Sequence, residues 1–158
     1  MKTNYLFPSK YKKVGWTILI PALILSLVFI STGYQPDFLD LKVPTIYTKE
    51  LLGKQHFFSM FQNNILDEIL CVMLILSLLF IAFSKEKSED EFISKIRLES
   101  LVWATYVNYA VLLISILFIF DWSFFWVIVI NMFTLLFIFI IRFNYYIAKF
   151  NKSANHEE

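Results

Sequence analysis

The sequence predicts an all-α integral membrane protein, a four-helix bundle with an interfacial helix in its outer loop. Apolar residues make up 58% of the 158 residues, above the roughly 45–50% of soluble domains. They are concentrated in four long runs rather than spread evenly, which is typical of membrane spans. Lysine and arginine fall mostly on one side of these runs. We therefore treat residues 1–158 as a single transmembrane domain.

The first two predicted spans are residues 14–32 and 65–84. The first follows a basic segment with four lysines and no acid. Its apolar run is too long for the core of a signal peptide, and no Ala-x-Ala cleavage site follows, so we expect a membrane helix. The second contains an unbroken run of only 16 uncharged residues, which is short for a crossing. It must therefore include Asp67 and Glu68 in its first turns.

The third span, 99–120, is the apolar part of a longer helix that begins in a charged segment. Ser88 is the predicted N-cap, and Glu91 completes a capping box three residues later. No proline or glycine interrupts residues 88–120, which at about 1.5 Å per residue would extend roughly 50 Å. The hydrocarbon core is only about 30 Å thick, so the charged segment must project from it.

The fourth span, 122–143, follows a tight turn predicted at 121–123 and should run antiparallel to the third. Asn108 lies nine residues beyond Glu99, or about 13 Å deep, and Asn131 lies eleven before the next charge, or about 16 Å deep. Because these depths are similar, and because buried amides favour hydrogen bonds across helices, we predict a hydrogen bond between Asn108 and Asn131.

The long loop between the first two spans is predicted to contain an interfacial helix from Thr48 to Asn64. Apolar and charged residues are mixed along this segment, as in helices that lie in the membrane interface. His56 is interpreted as an ordinary interfacial residue, because no set of metal ligands surrounds it in the sequence.

The distribution of basic residues predicts the orientation. Eleven lysines and arginines precede the first span, lie between the second and third, or follow the fourth, against three in the long loop. Basic loops stay in the cytoplasm. We therefore expect a multi-pass protein of the bacterial inner membrane with both termini cytoplasmic.

Two interpretations of Asp67 and Glu68 stay open. Both can stabilise the start of a helix, where the dipole favours negative charge. They can instead form a polar cluster with Asn108 and Asn131 that serves a cation or proton. Adjacent residues on a helix point about 100° apart, so the two carboxylates cannot line one pocket equally well.

Three segments resemble a bacterial family of small, uncharacterised four-span membrane proteins. They are NNILDEIL at the second span, FSKEKSEDEFISKIRLESLVWATYVNY, and NMFTLLFIFIIRFN. The acidic stretch from Asp90-Glu91 to Ile96-Arg97 is also similar to small membrane proteins that are encoded beside helix-turn-helix regulators. The resemblance implies a four-span topology and a regulatory role, and it brings no known activity.

The residue inventory favours a non-enzymatic protein without a cofactor. Two histidines and one cysteine form no nucleophile–base or metal constellation, and a net charge of +1 gives no reason to expect direct nucleic-acid binding. The first hypothesis is an accessory, sensory or regulatory component that docks a cytoplasmic protein through residues 88–97. The candidate docking residues are Glu89, Asp90, Glu91, Phe92, Ile96 and Arg97.

The alternative hypothesis is a small transporter or ion-pathway subunit that uses Asp67 and Glu68 with the polar pair Asn108 and Asn131. Four spans enclose little volume, so this function would require oligomerisation. A homo-oligomer is also compatible with the first hypothesis, and the lipid bilayer is a partner in both.

Overall fold

A computed structural model describes residues 5–49, 55–86 and 90–154. In chain order these contain helix α1 (Lys10–Thr32), a short 3-10 turn (Asp37–Leu39), strands β1 (Asp40–Lys49) and β2 (Gln55–Asn64), and helices α2 (Leu66–Ala82), α3 (Glu91–Phe118) and α4 (Asp121–Ala154). The chain divides into two compact units, one formed by Met1–Leu19 with Ile75–Glu158 and the other by Ile20–Leu74.

Three of the described helices, α1, α3 and α4, are long and apolar enough to cross a membrane. Most of their large apolar side chains are exposed in the isolated chain, as expected for helices that contact lipid. The chain is therefore a helical membrane protein. Helix α2 has 17 residues, or about 25 Å, which is the lower end of the length that spans a bilayer.

The interfacial helix predicted from Thr48 to Asn64 is wrong. Strands β1 and β2 form an antiparallel hairpin there, in which Asp40 pairs with Asn64 and Tyr47 with Phe57. His56 lies in β2 opposite Thr48. Residues 50–54, which belong to the predicted helix and lie between the two strands, are outside the part of the chain that the structure describes.

Cross-strand contacts explain why the hairpin forms. The hydroxyl of Thr45 donates a hydrogen bond to the Ser59 carbonyl at 3.0 Å, and the rings of Tyr47 and Phe57 lie 5.2 Å apart. Such pairs are the main source of stability in a two-stranded sheet. Pro44 is tolerated in β1 because each strand of a hairpin has one unpaired edge.

Asn64 connects the hairpin to the start of α2. Its side-chain amide donates to the Pro36 carbonyl at 2.9 Å and to Asp40 Oδ1 at 2.7 Å. Its side-chain oxygen accepts a hydrogen bond from the Leu66 backbone N–H at 3.2 Å, an Asx-turn bond that satisfies the first N–H of the helix. One buried side chain therefore fixes both the entry to β1 and the first turn of α2.

Helix α3 begins later than the capping box predicted. Its N-cap is Asp90, whose carboxylate accepts a hydrogen bond from the Ile93 N–H at 2.8 Å, whereas Ser88 lies outside the described residues. The predicted turn at 121–123 is also displaced. Helix α4 already begins at Asp121, which has a φ of 57°, so only residues 119–120 connect α3 to α4.

Candidate functional site

The charged ends of the apolar runs meet at one end of the unit formed by Met1–Leu19 and Ile75–Glu158. The runs begin or end beside Lys13, Lys85, Glu99 and Arg142. Side chains from α1, α3, α4 and the segment after α2 contact each other there. We call this set the boundary cluster; it consists of Lys12, Ser84, Glu86, Arg97, Phe143 and Asn144.

Lys12 connects three elements of the boundary cluster. Its ammonium forms an ion pair with Glu86, just beyond α2, and donates a hydrogen bond to Asn144 Oδ1 on α4 at 3.0 Å. Both charged side chains are partly buried, so water screens their attraction less than it screens an exposed pair. Helix α1 is thereby fixed to the ends of α2 and α4.

Phe143 lies at the centre of the cluster and is only 2% exposed. Its ring stacks on Phe139 with centroids 5.8 Å apart. The Arg97 guanidinium lies 5.0 Å from the ring centroid and the Lys12 ammonium 5.8 Å from it. The ring thus covers two cations by cation–π contact.

Arg97 is buried rather than displayed to a partner. Its Nη2 donates a hydrogen bond to the Ser84 carbonyl at 3.4 Å, and Phe143 covers the guanidinium. A cation near the hydrocarbon is costly unless other groups solvate it. We infer that Arg97 holds α3 to the segment after α2 and to α4.

The N-terminal segment also joins this end of the unit. The backbone N–H of Phe7 donates to the Phe83 carbonyl, and the Phe7 carbonyl accepts from the Lys85 N–H, both at 2.9 Å. The Phe7 ring lies 5.2 Å from Phe80 and 5.7 Å from Tyr11. The basic start of the chain is therefore paired to the end of α2.

The predicted docking strip is only partly open. Ile96 and Arg97 are buried within the chain, and Phe92 packs on Phe150 of α4 at 4.7 Å. Asp90 is occupied as the helix cap, whereas Glu91 is exposed. Glu89 lies outside the described residues. The covered positions are explained by α4, which packs along α3 throughout this segment.

Helices α3 and α4 project together beyond their uncharged runs. Helix α4 has 34 residues and α3 has 28, which is about 51 and 42 Å against an apolar core of about 30 Å. In chain order, the uncharged run of α3 begins at Ser100 and that of α4 ends at Ile141. The surplus therefore lies at the start of α3 and the end of α4, and forms one two-helix projection.

Two grooves lie along the α3–α4 contact. The charged groove, of about 410 Å³, is in the projection, and its lining includes Phe92, Lys95, Ile96, Glu99, Lys149 and Phe150. The arginine groove, of about 430 Å³, is at the boundary of the uncharged runs, and its lining includes Trp103, Ile138, Ile141, Arg142, Tyr145 and Tyr146. Sequence reasoning missed both grooves, because each needs side chains from two helices.

The predicted hydrogen bond between Asn108 and Asn131 is confirmed. The Asn131 amide donates to Asn108 Oδ1 at 3.1 Å, and the Asn108 amide donates back to Asn131 Oδ1 at 3.5 Å. Asn108 is buried. The two amides satisfy each other and hold α3 to α4.

Hydroxyl groups in the same helices bond to their own backbone. Thr105, Ser115 and Thr134 each donate to the carbonyl four residues earlier at 2.9 Å. Together with the closed pair of Asn108 and Asn131, these bonds engage five polar side chains within the two helices, whereas the buried Ser100 hydroxyl has no hydrogen-bond partner among the described residues. This geometry fits helix packing better than it fits a polar path across the membrane.

Asp67 and Glu68 lie in the first turn of α2, where both are exposed. Glu68 Oε1 accepts a hydrogen bond from the Asn63 side chain at 2.7 Å. They belong to the unit Ile20–Leu74, whereas Asn108 and Asn131 belong to the other unit. Within the described parts of the chain, no group of three or more histidine, cysteine, aspartate or glutamate side chains could hold a metal ion. The position of Asp67 and Glu68 fits stabilisation of the start of α2 by negative charge.

No family model, curated protein or solved structure matches this chain, so the resemblance to small four-span bacterial membrane proteins stays a prediction.

Proposed function

We propose that this chain is a non-enzymatic accessory or regulatory protein of a bacterial cytoplasmic membrane. It crosses the bilayer four times as a four-helix bundle, keeps both termini in the cytoplasm, and presents the two-helix projection to a cytoplasmic protein.

The boundary cluster supports the four crossings. It brings the charged flanks of α1, α2, α3 and α4 to one level, as would follow if all four helices leave the membrane on the same side. The basic residues on that side, eleven of fourteen, favour the cytoplasm. Helix α2 is short, but the exposed residues Asp67 and Glu68 at its start can lie in the headgroup layer.

The charged groove is the observation that carries the docking proposal. Phe92 and Phe150 give the groove apolar lining, and Lys95, Glu99 and Lys149 add charges of both signs to it. An apolar centre with a charged rim is the usual anatomy of a protein interface. This surface replaces the strip first predicted, because Ile96 lines the groove but is mostly buried, and Arg97 is buried outside the groove lining.

We expect a photo-crosslinking amino acid at Lys95, in the full chain and in living cells, to give one discrete crosslinked product with a cytoplasmic protein. Reversing one rim charge with Lys149→Glu should lower the yield by about fivefold, which corresponds to roughly 1 kcal/mol. Crosslinking yield is measured on immunoblots of isolated membranes.

Leu98 supplies the matched control. It lies on the same helix, is 63% exposed, and is not part of the groove lining. A crosslinker at Leu98 should not give the product. Equal products from both positions would contradict docking in the groove, and a product with the mass of two copies would indicate a homo-oligomer instead.

A further inference from the structure

The arginine groove lies where lipid headgroups meet acyl chains. Arg142 is the first charge after the uncharged run of α4, and Trp103 lies four residues inside the last charge of α3. The walls below the guanidinium, formed by Ile138 and Ile141, are apolar. Ile141 is 68% exposed, so the groove is open along its side. In a membrane this surface faces lipid.

Two aromatic rings hold the Arg142 guanidinium in place. Its Cζ atom lies 4.4 Å from the centroid of the Trp103 ring and 5.2 Å from that of Tyr146. Stacking of this kind covers the faces of a guanidinium, and because Nε is itself buried, the terminal Nη N–H groups are the ones left to bond an anion.

The described part of the chain supplies no anion for this cation. Among residues 5–49, 55–86 and 90–154, no carboxylate lies within ion-pair distance of Arg142, and its buried Nε has no hydrogen-bond partner. The contrast with Lys12, which has Glu86, is direct. A preordered cation that has no counter-ion among the described residues and lies next to an apolar wall has the form of a headgroup site.

We propose that the arginine groove binds one anionic phospholipid, with the phosphate on the Arg142 guanidinium and an acyl chain along Ile138 and Ile141. Tyr145 and Tyr146 also line the groove, and each carries a hydroxyl that is able to donate a hydrogen bond. Anionic lipids are enriched in the cytoplasmic leaflet, and basic pockets between membrane helices recognise their headgroups.

The depth of the groove selects lipid over a soluble partner. The charged groove lies farther along the projection, where the α3 and α4 surfaces carry charge, and suits a protein. The arginine groove opens among uncharged residues, where the available molecules are lipids. The two grooves share Tyr146 but differ in their other lining residues, and the lipid site does not depend on the docking proposal.

Native mass spectrometry of the delipidated full chain in detergent tests this site. Phosphatidylglycerol and phosphatidylcholine with matched acyl chains are titrated separately, and the dissociation constant of the first bound lipid is measured. We expect preference for phosphatidylglycerol, a loss of about fivefold in that affinity for Arg142→Gln, and unchanged phosphatidylcholine binding. Lys13→Gln is the control, because it removes an exposed positive charge from the same level of α1.

A second variant tests the groove without removing the cation. Ile141→Trp fills the open side at an exposed position and should weaken phosphatidylglycerol binding while Arg142 remains. Equal losses in Lys13→Gln and Arg142→Gln would show diffuse charge attraction and overturn the site. Full affinity in Ile141→Trp would also overturn it, as would displacement of the lipid by millimolar inorganic phosphate.

Discussion

Replacing Phe143 with alanine is expected to lower the free energy of unfolding by about 3 kcal/mol or more, the usual cost of truncating a buried phenylalanine. The ring is 2% exposed and stacks on Phe139. It also covers the Lys12 and Arg97 cations. Truncation therefore leaves a cavity and removes the ring that covers two cations. Both effects lower the free energy of unfolding.

The measurement is equilibrium unfolding of the purified full chain in mixed micelles, followed by far-UV circular dichroism. Phe118→Ala is the matched control, because Phe118 is 74% exposed at the far end of α3. We expect it to change the stability by less than about 0.5 kcal/mol. A similar loss in both variants would mean that Phe143 has no special role in holding the helices together.

The second large effect is expected at Gly15, where α1 and α2 come into backbone contact. A Cβ added at this position would lie 2.7 Å from Ile81 Cγ1 and 2.9 Å from the Ser77 carbonyl oxygen. The backbone carbonyl cannot rotate away, so the helices must separate. We expect Gly15→Val to cost about 2–3 kcal/mol by overpacking, which exceeds the gain of less than about 1 kcal/mol from a better helix former.

Thr17→Val controls for the new side chain itself. Thr17 is exposed on the same helix, and its hydroxyl donates a hydrogen bond to the Lys13 carbonyl four residues earlier. The same micelle unfolding experiment should show a large loss for Gly15→Val and almost none for Thr17→Val. If Gly15→Val is as stable as the native chain, the close approach of α1 and α2 is not present in the folded protein.

The pairing of Asn108 with Asn131 could be predicted because it depends only on how many residues separate each asparagine from the charged end of its helix. Two antiparallel helices with a short link and clear charged ends fix the depth of each residue, and a buried amide requires a partner. The helix positions could be predicted for the same reason, since long uncharged runs have few alternatives. Helix ends were less predictable, because Asp90 and Ser88 are both good caps.

The hairpin could not be predicted from the spacing of apolar residues in this segment. Residues 48–64 contain apolar side chains at spacings that fit either a helix or a strand. What selects the strand is the partner, since Thr45 meets Ser59 and Tyr47 meets Phe57 only after pairing. The aromatic and hydroxyl residues in both segments were the available signal.

The boundary cluster was missed because its contacts join distant parts of the chain. Lys12 and Asn144 are 132 positions apart, and Phe7 pairs with the segment after α2. Because Arg97 is a charged residue just before the third span, the sequence favoured an exposed position for its side chain. The structure buries it beside Phe143, because α4 continues past its uncharged run and contacts α3 there.

The crossing number and orientation are tested most directly by cysteine labelling in intact cells. The single native cysteine, Cys71, is replaced by serine, and one cysteine is introduced at Ile46, Lys85 or Lys152. Four crossings with cytoplasmic termini predict that a membrane-impermeant maleimide labels the Ile46 position in intact cells and the other two only after permeabilisation. Labelling of both the Lys85 and the Lys152 positions in intact cells would contradict a crossing by α2, because α3 and α4 together return the chain to the side on which α3 begins.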